Sequence, residues 1–168
     1  MIYGTMGYLQ TSEGVLILRK GIRENDPNSG YETLPGGKLE NDEKGLNNPN
    51  GRLESCARET EDETGIKPLE LKLRGVILFD NSEREFQNWK NHDNFYVYIY
   101  STTQKQGELK QSDEGIPMYI PSEQLTDLAQ NSGDKKMYEW LKDGRNFMGV
   151  IKHKRKELDL EGTFVDFF

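Results

Sequence analysis

The chain has 168 residues, a length that fits one domain with one hydrophobic core. Its 29 Asp and Glu residues outnumber its 22 Lys and Arg residues, and the resulting charge of −7 argues against binding to nucleic-acid polymers. No apolar run is long enough to cross a membrane, and the single cysteine excludes a disulfide framework and a four-thiolate zinc site. We therefore expect one cytoplasmic domain over residues 1–168, monomeric or homodimeric, with no membrane partner.

The predicted elements mix strands and helices without strict alternation. Two strands, Ile2–Leu9 and Gly14–Arg19, are joined by a cluster of turn residues. A helix is predicted over Gly51–Thr64. The later elements are the strands Leu69–Phe79, Asn94–Ser101 and Ile116–Ile120, a helix from Pro121 to Ala129, a helix over Asp134–Asp143, and the strands Phe147–His153 and Leu158–Phe168. This order predicts an α/β protein with a layered mixed sheet and helices on its faces.

Three carboxylates share one side of the predicted helix Gly51–Thr64. Glu59, Asp62 and Glu63 are spaced i, i+3, i+4, which brings them together in one arc. Like charges at this spacing repel, so the arrangement gains stability only if a cation binds there, and Mg²⁺ or Mn²⁺ suits such hard oxygen ligands. The alternative is a solvated acidic face. The upstream pair Gly36-Gly37 favours the metal site, because a turn there could direct a backbone carbonyl at the same ion.

Two segments, Pro35–Glu40 (PGGKLE) and Arg58–Ile66 (RETEDETGI), resemble the signature of the Nudix hydrolases. The sequence departs from that signature where Asn50 replaces a glutamate and Asp62 replaces another. The segment Asn41–Pro49 resembles an insertion, either a lid or a tolerated surface loop. Asn50 is predicted to cap the helix that begins at Gly51. Candidates to replace the lost carboxylate are Glu40, Glu43 and Glu54.

The resemblance implies a Nudix-like α/β/α sandwich, with the mixed sheet between helices. It also implies that Mg²⁺ is held by Glu59, Glu63 and the Gly37 carbonyl, with Asp62 completing or supporting this set, and Mn²⁺ is possible in the same place. The expected reaction is hydrolysis of a nucleoside diphosphate linked to another group.

The remaining catalytic residues are also inferred from the resemblance. The loop and strand Ser112–Tyr119 resemble the family's later acidic loop, which makes Glu114 a further catalytic acid. Arg58 is expected to orient the glutamates. Glu59, Glu63 and Glu114 are the contenders for the base that takes the proton of the attacking water, with Glu59 or Glu114 favoured.

The tail of the chain resembles the MutT-like branch, which acts on oxidised purine nucleoside triphosphates. Asp134 matches the acid that reads the base edge, and Thr33 and Lys38 are further candidates for substrate contact. Asn131 stands in place of a base-stacking tryptophan, and Thr33 in place of an asparagine. A nucleoside triphosphate such as 8-oxo-dGTP is therefore expected, with ADP-ribose, a sugar nucleotide or a dinucleoside polyphosphate as alternatives. A different kind of protein is also possible on this fold: a catalytically weak nucleotide-binding sensor, because of Asn50.

The cysteine, the histidines and the tyrosine-rich strand are interpreted as parts of the fold and not of a catalytic site. Cys56 falls on the core side of the acidic helix and is interpreted as a small apolar filler. His92 and His153 are predicted to lie on the surface, because neither has the surroundings of a catalytic triad. In the strand Asn94–Ser101, alternate positions form an apolar face and a tyrosine face, which predicts a strand covered on both sides. Trp89 is left undecided between packing and base stacking.

Overall fold

A computed structural model of the protein describes residues 1–22, 24, 30–40, 48–84 and 94–168. The predictions for Trp89, His92 and Glu43, and for most of the suggested insertion, lie outside these residues. No helix in the described ranges is long and apolar enough to span a membrane.

A mixed, curled sheet forms the centre of the fold. Its strand order is β11-β10-β6-β7-β1-β2-β3, with β12 beside β10, β4 beside β1, and β9 beside β2. The strands β1 and β7 are parallel, as are β6 and β10, and the other pairs are antiparallel. A small second sheet pairs β5 with β8. The strands are β1 (Ile2–Thr11), β2 (Gly14–Lys20), β3 (Glu32–Thr33), β4 (Gly36–Lys38), β5 (Ile66–Leu69), β6 (Lys72–Arg84), β7 (Phe95–Thr102), β8 (Gln104–Gly107), β9 (Gly115–Ile120), β10 (Phe147–Arg155), β11 (Glu157–Leu158) and β12 (Phe164–Phe167).

Helices cover both faces of this sheet, as the α/β/α sandwich predicted. Helix α1 (Pro49–Thr64) packs on one face, where a Cβ added at Gly7 would lie 2.8 Å from Thr60 Oγ1. The missing side chain of Gly7 therefore lets the helix approach the strand closely. The 3₁₀ helix Ser122–Leu128 and helix α2 (Ser132–Asp143) cover the other face, over the larger hydrophobic core.

The prediction that Asn50 caps a helix beginning at Gly51 is wrong. The helix begins at Pro49, and the cap is Asn48, whose side-chain oxygen accepts the Asn50 N–H at 3.0 Å. Proline suits the first turn because its missing N–H would have no helical partner there. At the other end Gly65 closes the helix with a φ of 77°, in the left-handed conformation expected of a glycine cap.

Most other predicted strands shift by only one or two residues at an end, and four further elements differ in bounds or type for identifiable reasons. The strand Leu69–Phe79 is divided between β5 and β6, because Glu70 has a φ of 51° and turns the chain from the small sheet to the large one. The segment after Pro121 is a 3₁₀ helix that ends at Leu128. Helix α2 begins two residues before Asp134, since Asn131 supplies the cap. The segment Leu158–Phe168 forms two short strands, because Asp159 Oδ1 accepts two backbone N–H groups in the turn between them.

His153 lies in the interior, so its predicted surface position is wrong. It is 3 % exposed on β10, and its Nδ1 lies 3.0 Å from the side-chain oxygen of Asn81. The neighbouring basic residues 154–156 are exposed, and strand alternation turns His153 the opposite way, onto the core face.

Cys56 is buried as predicted, and the predicted strand Asn94–Ser101 is found one residue later, as β7, with both faces covered. Cys56 is fully buried against the sheet, and burial raises the pKa of its thiol to about 12. On the tyrosine face of β7, the Arg52 guanidinium from α1 lies 4.5 Å from the centre of the Tyr98 ring. Both faces of this strand are therefore covered, by α1 on one side and by the larger core on the other.

Candidate active site

The carboxylate of Glu63 occupies the centre of the candidate site. The residue is 4 % exposed in the last turn of α1, and its Oε2 accepts the Gly36 N–H at 2.9 Å. Burial raises the pKa of Glu63 to about 7, against the lowering effect of the Gly36 hydrogen bond and the Lys20 charge. The charges of Glu59 and Glu114 raise this pKa further, so both carboxylates lie close enough to interact with Glu63.

Glu59 lies one turn earlier, against the second glycine of the upstream pair. A Cβ at Gly37 would lie 2.8 Å from Glu59 Oε2, so a larger residue at this position would force the Glu59 carboxylate to move. Arg58 pairs with Glu59 at 2.6 Å and with Asp62 at 3.6 Å, which is the orienting contact predicted for it. The Asp62 side chain is 66 % exposed. The structure thus turns Asp62 towards Arg58 and solvent, while Glu59 and Glu63 face β4.

Glu114 reaches the site from the loop before β9. Ser112 fastens this loop to the helix, because its hydroxyl donates to the Glu63 carbonyl at 2.9 Å and accepts the Glu114 N–H at 3.2 Å. Pairing of β9 with β2 places Gly115 opposite Lys20. The structure therefore brings Glu114 to the same end of α1 as Glu63, with a lysine beside them.

The two backbone carbonyls of the glycine pair face different ways. The Gly37 oxygen lies 3.1 Å from the position that a Cβ of Gly4 would take, so it is directed towards β1. Consecutive carbonyls in a strand point in opposite directions, which turns the Gly36 oxygen away from β1. This orientation favours the Gly36 carbonyl over the predicted Gly37 carbonyl as the backbone oxygen available to a ligand.

The residues predicted to contact the substrate base lie around the start of α2. Asp134 donates its backbone N–H to Asn131 Oδ1 at 2.9 Å, and Asn131 Nδ2 donates to the Asp134 carboxylate at 3.0 Å. Burial raises the pKa of Asp134 to about 6, with the Arg84 charge opposing. Thr33 shares a hydrogen bond with the buried Tyr138 of α2. Asp134 therefore belongs to the first turn of α2 and Thr33 contacts the same helix, whereas Lys38 is exposed on β4.

A family model for the NUDIX domain matches residues 4–141, which include every part of the site just described. The chain belongs to the Nudix family. It is a Nudix hydrolase, an enzyme that acts on pyrophosphate bonds. Residues 142–168, which supply β10 to β12, follow the matched region.

Solved structures support the fold of this Nudix hydrolase. The MutT protein from Bacillus halodurans is 25% identical, with a TM-score of 0.73, and the alignment covers 99% of this chain and 98% of that one. The NUDIX domain of NrtR from Shewanella oneidensis, solved with ADP ribose, has a TM-score of 0.64 at 13% identity over 85% and 87% of the two chains. An Ap4A hydrolase from C. elegans has a TM-score of 0.57 at 12% identity over 85% and 96%.

Nudix hydrolases generally use divalent metal ions, and the donor chemistry of this site fits one. Within the described ranges, no three His, Cys, Asp or Glu side chains are arranged so that together they could hold a metal ion. Mg²⁺ does not need three, since it is commonly bound through one or two carboxylates and keeps several waters. Glu63 is a buried carboxylate near two others, and a cation would offset the cost of ionising it.

Two residues of this neighbourhood were missed by sequence reasoning. Lys20 ends β2 and interacts electrostatically with Glu63, but nothing in the sequence connects it to the acidic helix. The sequence contains a weak indication of the role of Ser112, because a serine whose hydroxyl accepts the backbone N–H two residues later is typical of a turn. Asn50 is exposed in the first turn of α1, about 13 Å along the helix axis from Glu59.

Proposed function

We propose that this Nudix hydrolase cleaves nucleoside triphosphates to the monophosphate and pyrophosphate, with Mg²⁺ held by Glu59 and Glu63. The observation that carries the proposal is the buried Glu63 carboxylate, which is surrounded by Glu59, Glu114 and the glycine pair. When bound, the ion would polarise the phosphate oxygens and neutralise charge that builds during water attack. In this arrangement the Gly36 carbonyl is the backbone donor, and Asp62 supports the site through Arg58.

Other residues of the chain position the carboxylates, contact the substrate phosphates and accept the proton of the attacking water. Arg58 holds Glu59 by an ion pair, and Ser112 holds the Glu114 loop against the end of α1. Lys20 adds a positive charge beside Glu63 that can meet a substrate phosphate. Glu59 and Glu114 are the two candidates for the base, since Glu63 is tied to the Gly36 N–H. The pH–rate profile of Glu114→Gln decides between them, because Glu59 is also a proposed Mg²⁺ ligand. Loss of the acidic limb in this variant makes Glu114 the base, and its retention leaves Glu59.

For the substrate we propose a purine nucleoside triphosphate, with 8-oxo-dGTP as the leading candidate. Support comes from the similarity to the MutT protein of Bacillus halodurans over nearly the whole of both chains. It also comes from Asp134, a half-buried carboxyl with a raised pKa at the N-terminal end of α2, where it can accept or donate a hydrogen bond. Thr33 and Lys38 are the further proposed contacts, with Thr33 placed beside Tyr138.

The test is a panel of nucleoside triphosphates, 8-oxo-dGTP, ADP-ribose and dinucleoside polyphosphates, each incubated with Mg²⁺ or Mn²⁺. Product masses in ¹⁸O-labelled water show which phosphorus is attacked. The proposal expects pyrophosphate and a monophosphate, with a purine preference that changes in Asp134→Asn. Faster cleavage of ADP-ribose or of a dinucleoside polyphosphate would replace the proposed substrate, and nucleotide binding without any turnover would indicate a sensor instead.

A further inference from the structure

A cavity lies on the face of the sheet opposite α1. It has a volume of about 470 Å³, within the range of small-molecule sites, and it opens where β1 and β7 end and β6 begins. Its lining includes Tyr8 and Gln10, which alternate along β1 with the residues that face α1. The glycine pair of the active site lies against Thr5 and Met6, so the cavity is separate from the carboxylates.

Arg74 forms a buried wall of this cavity. The pairing register shifts between Leu73 and Gly75, which leaves Arg74 as the extra residue of a bulge and turns it into the interior. The residue is 8 % exposed; its Nη2 donates to the Leu141 carbonyl at 3.2 Å, and its Nη1 has no hydrogen-bond partner among the described residues. No carboxylate in the described ranges lies within ion-pair distance of it. Burial lowers the pKa of this guanidinium, as expected of a cation that lacks a close counter-charge.

Two lysines add positive charge at the rim. Lys72 and Lys142 line the cavity, and neither forms an ion pair with any residue that the structure describes. Glu70 also lines the cavity, where it accepts from the Gln104 side chain at 2.9 Å, so three cationic side chains share the described lining with one carboxylate. Asp143, next to Lys142, is paired with Arg145 at 2.6 and 3.0 Å. The cavity is therefore locally positive in a chain whose net charge is −7.

We propose that this cavity is a second binding site, for a phosphate-type oxyanion, in which Arg74, Lys72 and Lys142 supply the charge. Hydroxyl groups of Ser101 and Ser122 line the same space and can donate to the remaining oxygens, whereas the Thr102 hydroxyl already donates to the Leu69 carbonyl. Among the described residues, Tyr8 is the only aromatic side chain in the lining. Its hydroxyl donates to the Gln10 side chain, so the lining suits the phosphate group rather than a base. The site does not depend on which nucleotide the enzyme cleaves.

The test uses protein freed of metal ions by chelation and dialysis, so that the active-site carboxylates repel anions. Pyrophosphate, inorganic phosphate and malonate are titrated separately by calorimetry, and amide shifts are followed by NMR. We expect one pyrophosphate per chain, with shifts at Ser101 and Thr102, and weaker binding of phosphate and malonate. Lys72→Gln/Lys142→Gln should weaken pyrophosphate binding about tenfold, since each exposed lysine contributes a modest part of the attraction.

The matched control is Lys154→Gln/Lys156→Gln, which removes the same charge from exposed positions near the opposite end of β6, where Lys154 pairs with Glu83. It should change the affinity less than twofold. The rim lysines are chosen because Arg74 also supports the fold through Leu141, so its loss could unfold the chain. Absence of pyrophosphate binding, equal effects of the two double variants, or equal binding of malonate and pyrophosphate would each overturn the proposal.

Discussion

Replacing Glu63 with glutamine should stabilise the metal-free protein at alkaline pH. The folded-state pKa of about 7 lies above the ordinary value of 4.5, so the folded protein disfavours the ionised carboxylate. Below pH 4.5 the group is protonated in both states and has no effect. The free energy of unfolding falls as the pH rises from 4.5 through 7, and above pH 7 it is lower by the full cost of ionising the buried carboxylate.

The size of this effect follows from the pKa difference and the burial of Glu63. The difference corresponds to about 3 kcal/mol in the free energy of unfolding at pH 8. Glutamine keeps an oxygen that can accept the Gly36 N–H and never ionises, so Glu63→Gln should recover most of this energy. For a chain of this size the gain is a rise in Tm of about 6–10 °C.

The assay is thermal unfolding by circular dichroism between pH 4.5 and 9, without divalent ions, for the wild type, Glu63→Gln and Glu61→Gln. Glu61 is exposed on the same helix, so its variant controls for the loss of one charge. The Tm difference between Glu63→Gln and wild type should grow with pH and level off above 7. Added Mg²⁺ at pH 8 should stabilise the wild type more than Glu63→Gln. A difference that is independent of pH, or a variant less stable than wild type at pH 8, would refute the reasoning.

Three further outcomes test other parts of the structure. Gly37→Ala should reduce turnover at least about tenfold with little change in Tm, because the new Cβ would displace the flexible Glu59 carboxylate; unchanged kinetics would contradict this. Cys56 should resist alkylation by iodoacetamide in the native protein and react in denaturant, since its thiol is buried with a pKa of about 12. Burial lowers the pKa of His153 to about 4, so the Tm of the wild type should fall relative to that of His153→Gln as the pH drops from 6.5 to 4. A Tm difference that does not change with pH would show that His153 is not a buried neutral imidazole.

The sequence predicts well which carboxylates of α1 lie on one side of the helix, because helix geometry is local. The spacing of Glu59 and Glu63 fixes their side of the helix, and Gly65 fixes where it ends. The same periodicity placed Asp62 with them, but the structure turns Asp62 outwards to Arg58 at 3.6 Å. A helix wheel cannot show where the core ends and solvent begins, because that boundary is set by the strands that pack on the helix.

Features that depend on long-range pairing were not predictable in this way. Lys20 and Glu114 meet because β2 pairs with β9, and no local pattern connects these segments. The interior position of His153 depends on Asn81, which is 72 residues away in sequence. In the sequence, Arg74 resembles any charged residue of a strand. Its burial follows from its place as the extra residue of a β-bulge, which depends on the pairing of β6 with β7.

The central claim is that the buried Glu63 carboxylate serves metal-dependent hydrolysis. The most direct measurement compares Mg²⁺-dependent turnover of the best nucleoside triphosphate by wild type, Glu63→Gln and Glu61→Gln at pH 8, with the fold of each checked by circular dichroism. We predict that Glu63→Gln loses roughly a hundredfold to a thousandfold in kcat, and that Glu61→Gln stays within about twofold of wild type. Wild-type turnover by a folded Glu63→Gln variant would contradict the claim.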